Sequence, residues 1–331
     1  MKPARHRPCQ RFHLKHAFFR SRTRVCYKIQ VDFPVPLPIV IAKSMPSPQA
    51  LLPFLFVFLW STGFIGAKFG MPYAESLTFL LARYVLVLGL MTIFALATRA
   101  PWPRDGRYIF HIGVSGVLMH AFYLGGVFVA IKHGLPAGVT SLLVGMQPLL
   151  TACGAGWLLG ERVSVRQWLG LGLGFIGVTL VVANKLGDIP LGALLIPAIV
   201  ALLAITAGTL YQKRFCPHFD LRTGSVIQFL PTALLTALAA SASETMVIEW
   251  SIPFVFALLW LVLVLSFGAI SLLNLLIRSG SAVNVASLFY LTPPSTALIA
   301  WGVFGETLSG LALAGMVLAV GGVYLARVRR P

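Results

Sequence analysis

The chain has 331 residues, 58% of them hydrophobic and 11% charged, with a mean hydropathy of +0.87 and a formal net charge of +17. Soluble domains carry about a quarter charged residues, so this composition excludes a water-soluble enzyme or binding domain and makes lipid the solvent. Whether the positive charge bears on function depends on where the cations sit.

Residues 1–48 form a basic extension that is expected to be disordered. Lys2, Arg5, Arg7, Arg11, Lys15, Arg20, Arg22, Arg24, Lys28 and Lys43 face one acid, Asp32, and no helical apolar period appears. A secretory signal needs an apolar core of about 7–15 residues, and "HAFF" is too short. An Arg-rich, acid-poor transit peptide is the other reading, but serine is sparse. Met45 in "KSMPSPQALLPF" is the expected natural start, which leaves a net of +8 and no nucleic-acid partner inferred from the pI.

From Leu51 onward ten apolar segments follow, each near the roughly 20 residues that cross a bilayer as a helix. They lie near 51–69, 76–98, 108–131, 135–159, 167–184, 191–212, 224–242, 252–277, 281–304 and 309–326. The runs are continuous rather than alternating, which favours helices over a barrel. In the first segment Trp60, Phe64 and Lys68 fall at i, i+4 and i+8, an aromatic stripe ending in a cation that either lines an entrance or snorkels to headgroups. In the second, Arg83 lies about two turns inside, where an unpaired charge must face protein or water. It is a candidate for carboxylate or anion recognition. Glu75 is too distant for a simple pair.

In the third segment His120 and Tyr123 are spaced three apart, as on one helix face. "GVSG" at 113–116 resembles an intramembrane serine-protease motif with Ser115 as nucleophile, but the chemistry needs a His base on a neighbouring helix. Gln147, Asn274, Asn284 and Tyr290 are further intramembrane polar groups, serving either as ligands or as glue between helices. Pro148 and Pro293 lie inside the fourth and ninth segments and are read as kinks or gating points. Gly160 is placed to end a helix in the left-handed conformation, so that Glu161 faces the N-terminus of the following helix, and Glu306 repeats that step. "GLGLGFIG" at 170–177 reads as a close-packing face of small residues. Its fit to G-x-G-x-x-G carries no dinucleotide fold, because no soluble strand precedes it.

Cys9, Cys26, Cys153 and Cys216 have no metal-ligand spacing, so neither disulfide nor metal is expected. No cofactor is expected, and no P-loop is present to use ATP. With the N-terminus inside, Arg99, Arg104, Arg107, Arg162, Arg166, Lys213, Arg214, Arg222, Arg278, Arg327, Arg329 and Arg330 fall at cytoplasmic ends. Only Lys68, Lys132 and Lys185 fall at outer ends. Both termini are therefore expected in the cytoplasm.

Sliding the sequence by 145 residues aligns Pro148 with Pro293, Thr151-Ala152 with Thr296-Ala297, Gly160-Glu161 with Gly305-Glu306, Ser164 with Ser309, Gly170 with Gly315 and Gly177-Val178 with Gly322-Val323. Gly63 and Lys68 likewise meet Gly208 and Lys213. Two five-helix units, 51–184 and 191–327, follow. Because five is odd, the second enters from the opposite side, an inverted repeat suited to alternating access. The fold expected is an all-α integral membrane protein with ten transmembrane helices as two five-helix inverted repeats.

"FLWSTGFIGAK", the "ARY" of the second helix, "AGVTSLLVGMQPLLTACGAGWLLGERVSVRQWLG" and "NLLIRSGSAVNVASLFYLTPPSTALIAWGVFGETLSG" together resemble the EamA-type family of the drug/metabolite transporter superfamily over roughly 51–327. The resemblance implies ten helices, cytoplasmic termini, a central cavity between two bundles and export of small metabolites such as amino acids. The expected function is a secondary transporter in the bacterial inner membrane. Its partners are a small-molecule substrate and the lipid bilayer, with a homodimer left open. Candidate substrate-binding residues are Trp60, Lys68, Arg83, His120, Tyr123, Gln147, Asn274 and Tyr290. Pro148, Glu161, Pro293 and Glu306 are the structural or gating set. A non-transporting membrane receptor or assembly protein is the alternative of a different class.

Overall fold

The structure, a computed structural model, describes residues 48–135, 137–182, 195–304 and 308–327. Residues 1–47, Lys185, Glu306, Arg329 and Arg330 lie outside the described residues, as do the side chains of Phe64 and Lys68. Among the described residues every regular element is helical, and the β-contact is an isolated bridge between Ala74 and Ile248. The apolar runs leave the backbone no other way to satisfy its N–H and C=O groups in hydrocarbon.

The order is α1 (Pro48–Gly70), α2 (Ser76–Ala97), α3 (Gly106–Gly116), α4 (Tyr123–Lys132), α5 (Ala137–Val144), α6 (Gln147–Leu159), α7 (Val165–Val182), α8 (Leu195–Phe215), α9 (Leu221–Ser243), α10 (Ile252–Trp260), α11 (Ile270–Ser279), α12 (Ala282–Ser287), α13 (Thr292–Phe304) and α14 (Gly310–Ala326). A π-helical stretch, Val117–Phe122, joins α3 to α4, and another, Leu261–Ala269, joins α10 to α11. A 3₁₀ turn, Leu288–Leu291, joins α12 to α13. Among the described residues six helical spans are long and apolar enough to cross a membrane: 76–97, 106–132, 142–159, 195–215, 221–243 and 252–279.

The interruptions correct the sequence reading. The segments 135–159 and 281–304 are not single helices kinked at proline. Each is divided, and Pro148 and Pro293 sit in the first turns of α6 and α13. The cause is steric. A proline ring collides with the carbonyl four residues earlier and offers no N–H. An unbroken helix through Pro148 would put that clash at Val144, where α5 ends. At the start of a helix the missing donor has no partner to lose. The two divisions, like the two π-stretches, recur at the 145-residue offset. The architecture is duplicated down to its irregularities.

One hydrophobic core runs through both halves, with Phe56, Phe79, Tyr84, Phe229, Phe254, Leu261 and Tyr290 all fully buried. The loops rich in Arg and Lys gather at one end of the bundle. There the Thr223 hydroxyl donates to Pro101 O at 2.9 Å and the Tyr108 hydroxyl donates to His218 O at 2.8 Å. Lys213 Nζ at the end of α8 donates to Ile277 O at 2.9 Å and to Gly280 O. At the opposite end the turn before α2 meets the α9–α10 connection.

The closest helix pair is α7 with α14, one from each half. A Cβ added at Gly170 would stand 2.5 Å from Ala326 N, and one at Gly322 would stand 2.6 Å from Gly170 O. A Cβ at Gly177 would stand 2.6 Å from Gly315 O. These glycines, matched by the repeat, let the backbones touch, as small residues do at membrane helix crossings. A Cβ added at Gly172, in the same sequence run, would meet no neighbouring helix within 4 Å. Gly322→Ala is therefore expected to lower the thermal midpoint in detergent, at an overpacking cost of about 1–3 kcal/mol. Gly172→Ala should leave it unchanged.

Candidate functional site

The helix divisions create the site. Where α5 ends, Gly145 opens a gap in the wall, and where α13 begins, Thr292 and Pro293 form the opposite lip. Between them lies a narrow cleft, partly open at its mouth. Trp60 of α1 and Tyr123 and Val127 of α4 line it, with Thr140 and Val144 of α5 and Phe289 of the 3₁₀ turn. Helices from both halves thus contribute walls. Trp60 stacks nearly parallel to Tyr123, with ring centroids 6.4 Å apart and 11° between planes, and meets Phe289 edge-on at 5.3 Å. An aromatic box of this kind suits the flat or apolar part of a small organic solute.

Arg83 is 1% exposed in the middle of α2. Its Nε donates to the Ser266 hydroxyl at 3.1 Å, and Ser266 in turn donates to Leu261 O within the second π-stretch. Among the described residues no carboxylate lies within ion-pair distance of Arg83. Glu75, weighed as its partner, is instead committed to Thr245. The guanidinium lies within electrostatic range of Tyr123, on the cleft wall. The adjacent Tyr84 hydroxyl donates to His120 O in the first π-stretch at 2.9 Å. Neighbouring residues of α2 therefore hold the two π-stretches, one from each half.

His120 and Tyr123 do not act on one face. The π-stretch between them sends His120 against Phe229 of α9, stacked at 4.5 Å, while Tyr123 goes to Trp60. His120 Nε2 is buried without a partner among the described residues. Asn274 Oδ1 accepts from Gln212 Nε2 at 3.0 Å, and Gln212 Oε1 accepts from Gln228 Nε2 at 3.3 Å. Gln228 Nε2 also donates to the Ser115 hydroxyl at 3.0 Å. Ser115 Oγ itself donates to Ile112 O, which leaves it in a buried amide network rather than against a histidine. Gln147 Nε2 faces Thr209 Oγ1 at 3.4 Å, and Tyr290 is fully buried. The cleft thus unites Trp60, Tyr123 and Pro293; Gln147, Pro148, Asn274 and Tyr290 lie outside its lining. Glu306 and the Lys68 side chain lie outside the described residues.

Gly160 ends α6 at φ +66, as its position implies. Glu161, however, does not face the next helix. Its Oε1 accepts from Ala282 N–H at 3.1 Å, capping α12 of the other half. The N-terminus of α7 is already served by Ser164 and Gln167, which bond each other's backbone and side chain. The sequence reading missed Thr292, Phe289, Ser266 and Gln212. Thr292 was signalled by the repeat, which sets it opposite Gln147.

At the end of the bundle away from the basic loops, two carboxylates tie the halves together. Glu244 accepts from Leu77 N–H at 2.8 Å and from Thr78 N–H and hydroxyl, each at 2.7 Å, at the start of α2. Glu75 accepts from the Thr245 N–H at 2.6 Å and hydroxyl at 2.7 Å. The bonds from Thr245 hold the Glu75 carboxyl below the usual carboxylate range, with Lys132 adding a smaller pull. At the other end the Arg222 guanidinium holds Asp220 low in the same way.

The EamA-like transporter family matches the chain twice, over residues 48–183 and 191–328. A protein named "Probable amino-acid metabolite efflux pump" from Salmonella typhimurium is 25% identical over 301 residues, covering 86% of this chain and 98% of that protein. The "Uncharacterized inner membrane transporter YedA" of Escherichia coli K12 is 26% identical over 273 residues, covering 81% and 87%. A solved crystal structure superposes with a TM-score of 0.70 at 20% identity, covering 85% of this chain and 97% of that one. That likeness concerns the fold.

The two-carboxylate tie generates a pH prediction. A depressed carboxyl pKa contributes stability that is complete above the unfolded value and lost as pH falls through the folded one. Glu75→Ala should therefore lower the thermal midpoint at pH 7, and its difference from wild type should shrink as the pH drops below the ordinary value of 4.5. Melting curves at stepped pH in detergent check both.

Proposed function

Because the chain belongs to the EamA-like transporter family, we propose that it is a secondary carrier that exports a small organic metabolite, an amino acid or related carboxylate, across the bacterial inner membrane. Taken across their interruptions, the helices form ten crossings in two inverted repeats, 51–184 and 191–327. Both termini and the basic loops lie in the cytoplasm, in accord with the bias of Arg and Lys toward one end. The cleft between the halves is the solute site. Trp60, Tyr123 and Phe289 hold its apolar part, Arg83 attracts its carboxylate, and the divided helices at Gly145 and Pro293 change shape as access alternates.

The observation that carries this reading is Arg83. A guanidinium buried in an apolar span is costly unless a counter-charge is supplied, and among the described residues it bonds only a serine hydroxyl. A solute carboxylate supplies that charge and can bond the guanidinium in a two-pronged geometry that lysine cannot reproduce. The relatives' names, as transporters and as an amino-acid metabolite efflux pump, support the substrate class.

The test is counterflow of labelled amino acids in vesicles. Wild type should show saturable exchange. Arg83→Leu should lower transport about 10–100-fold, as expected for a lost charge-assisted hydrogen bond of roughly 1.5–3 kcal/mol, and Arg83→Lys should recover only part. Unchanged exchange by folded Arg83→Leu would refute carboxylate recognition. No flux of any amino acid through folded, inserted wild type would favour a non-transporting receptor.

A further inference from the structure

The internal repeat makes a further statement about the same site, one that rests on the carrier reading. At the 145-residue offset, the cleft residues Gly145 and Trp60 map onto Tyr290 and Ile205, and Thr292 and Pro293 are the images of Gln147 and Pro148. Val144 and Phe289, both in the lining, map onto each other. Tyr123 and Val127 map onto Gly268 and Leu272, so the cleft has a mate walled by α6, α8, the second π-stretch, α11 and the α12–3₁₀ segment. We infer that this mate is a second subsite for the transported solute, closed in this structure, with Gln147, Thr151 and Tyr290 as its polar contacts and Tyr290 as its lid.

The polar groups at the mate carry a common signature. Gln147, Thr151 and Tyr290 are all fully buried, and Gln147 Oε1, Thr151 Oγ1 and Tyr290 Oη have no hydrogen-bond partner among the described residues. Thr292 Oγ1, on the lip of the open cleft, shares that condition. Buried polar atoms are rarely left so, and a group of them on one register calls for a physical reason. A solute or water that enters when the mate opens supplies it. The copies differ most at three lining positions: Trp60 and Tyr123 have the smaller images Ile205 and Gly268, and Gly145 has the larger image Tyr290, the change that closes the mate. Where the cleft has Gly145, the mate has Tyr290, whose ring packs so tightly on α7 that a Cβ at Gly174 would stand 2.5 Å from its Cδ2. Opening needs that ring to swing from α7. The groups it would uncover are neutral donors and acceptors, so the mate takes an uncharged hydrogen-bonding part of the solute and leaves its carboxylate to Arg83.

Substituted-cysteine accessibility tests this in the full chain with Cys9, Cys26, Cys153 and Cys216 replaced by serine. The probe is the membrane-impermeant thiol reagent trimethylammonium-ethyl methanethiosulfonate, applied to right-side-out and inside-out vesicles. Thr292→Cys should react from the outside. Gln147→Cys and Thr151→Cys should react from the cytoplasmic side, about tenfold faster than from the outside, and Tyr290→Gly should speed the reaction at Gln147→Cys. Counterflow of labelled amino acids is measured in the same vesicles. Counterflow without cytoplasmic reaction at either position overturns the second subsite and leaves the carrier standing, and so does reaction at both from the outside alone. Cytoplasmic reaction without counterflow shows that the mate opens but overturns the carrier reading and, with it, the solute subsite.

Discussion

A backbone in hydrocarbon has no water to bond, so every interruption of a helix must be enclosed by protein. That constraint explains where this molecule is irregular. The division at Gly145 and the 3₁₀ turn at Leu288–Leu291 border the cleft where the halves meet, and each π-stretch turns one side to the other half. Regular helices present Phe58, Ile93, Leu238 and Val317 outward. The cleft is a product of the same rule. A helix that breaks inside a bundle leaves a gap beside the break, and two such breaks facing one another line a cleft.

Polar chemistry follows the irregular backbone. Arg83 bonds Ser266 in one π-stretch and its neighbour Tyr84 bonds the backbone of the other, so the buried charge stands where helical geometry is already relaxed. π-stretches of this kind recur at functional sites because they turn a carbonyl or side chain out of its usual register. The amide network of Gln212, Gln228 and Asn274 lies behind it and fixes the neighbouring helices without any net charge. The buried charge and the neutral amide network thus fall to different side chains.

Elements with a local cause were legible in the sequence. The apolar runs gave the helices, Gly160 its left-handed end, and the repeated glycines the contact between α7 and α14. The 145-residue offset located both prolines as a pair, though their position in first turns depended on a clash geometry that hydropathy does not carry. Partners far along the chain were not legible. Ser266 lies 183 residues from Arg83, and Ala282 lies 121 from Glu161. A carboxylate beside a glycine points to some helix end, and only the packing says which. The π-stretches left no trace either, since one inserted residue barely alters an unbroken apolar run. That is why His120 and Tyr123 were grouped on a face they do not share.

The rim carboxylate Glu244 also orders events in time. It completes the start of α2 from 166 residues downstream, and at about 5–20 residues per second of synthesis that separation takes on the order of ten to thirty seconds. For that interval α2 stands in the bilayer with its first N–H groups uncapped by protein, met by headgroups or the insertion machinery. Insertion and assembly are therefore separate stages here. The first half enters the membrane early, and its second helix is finished only by a residue of the second half.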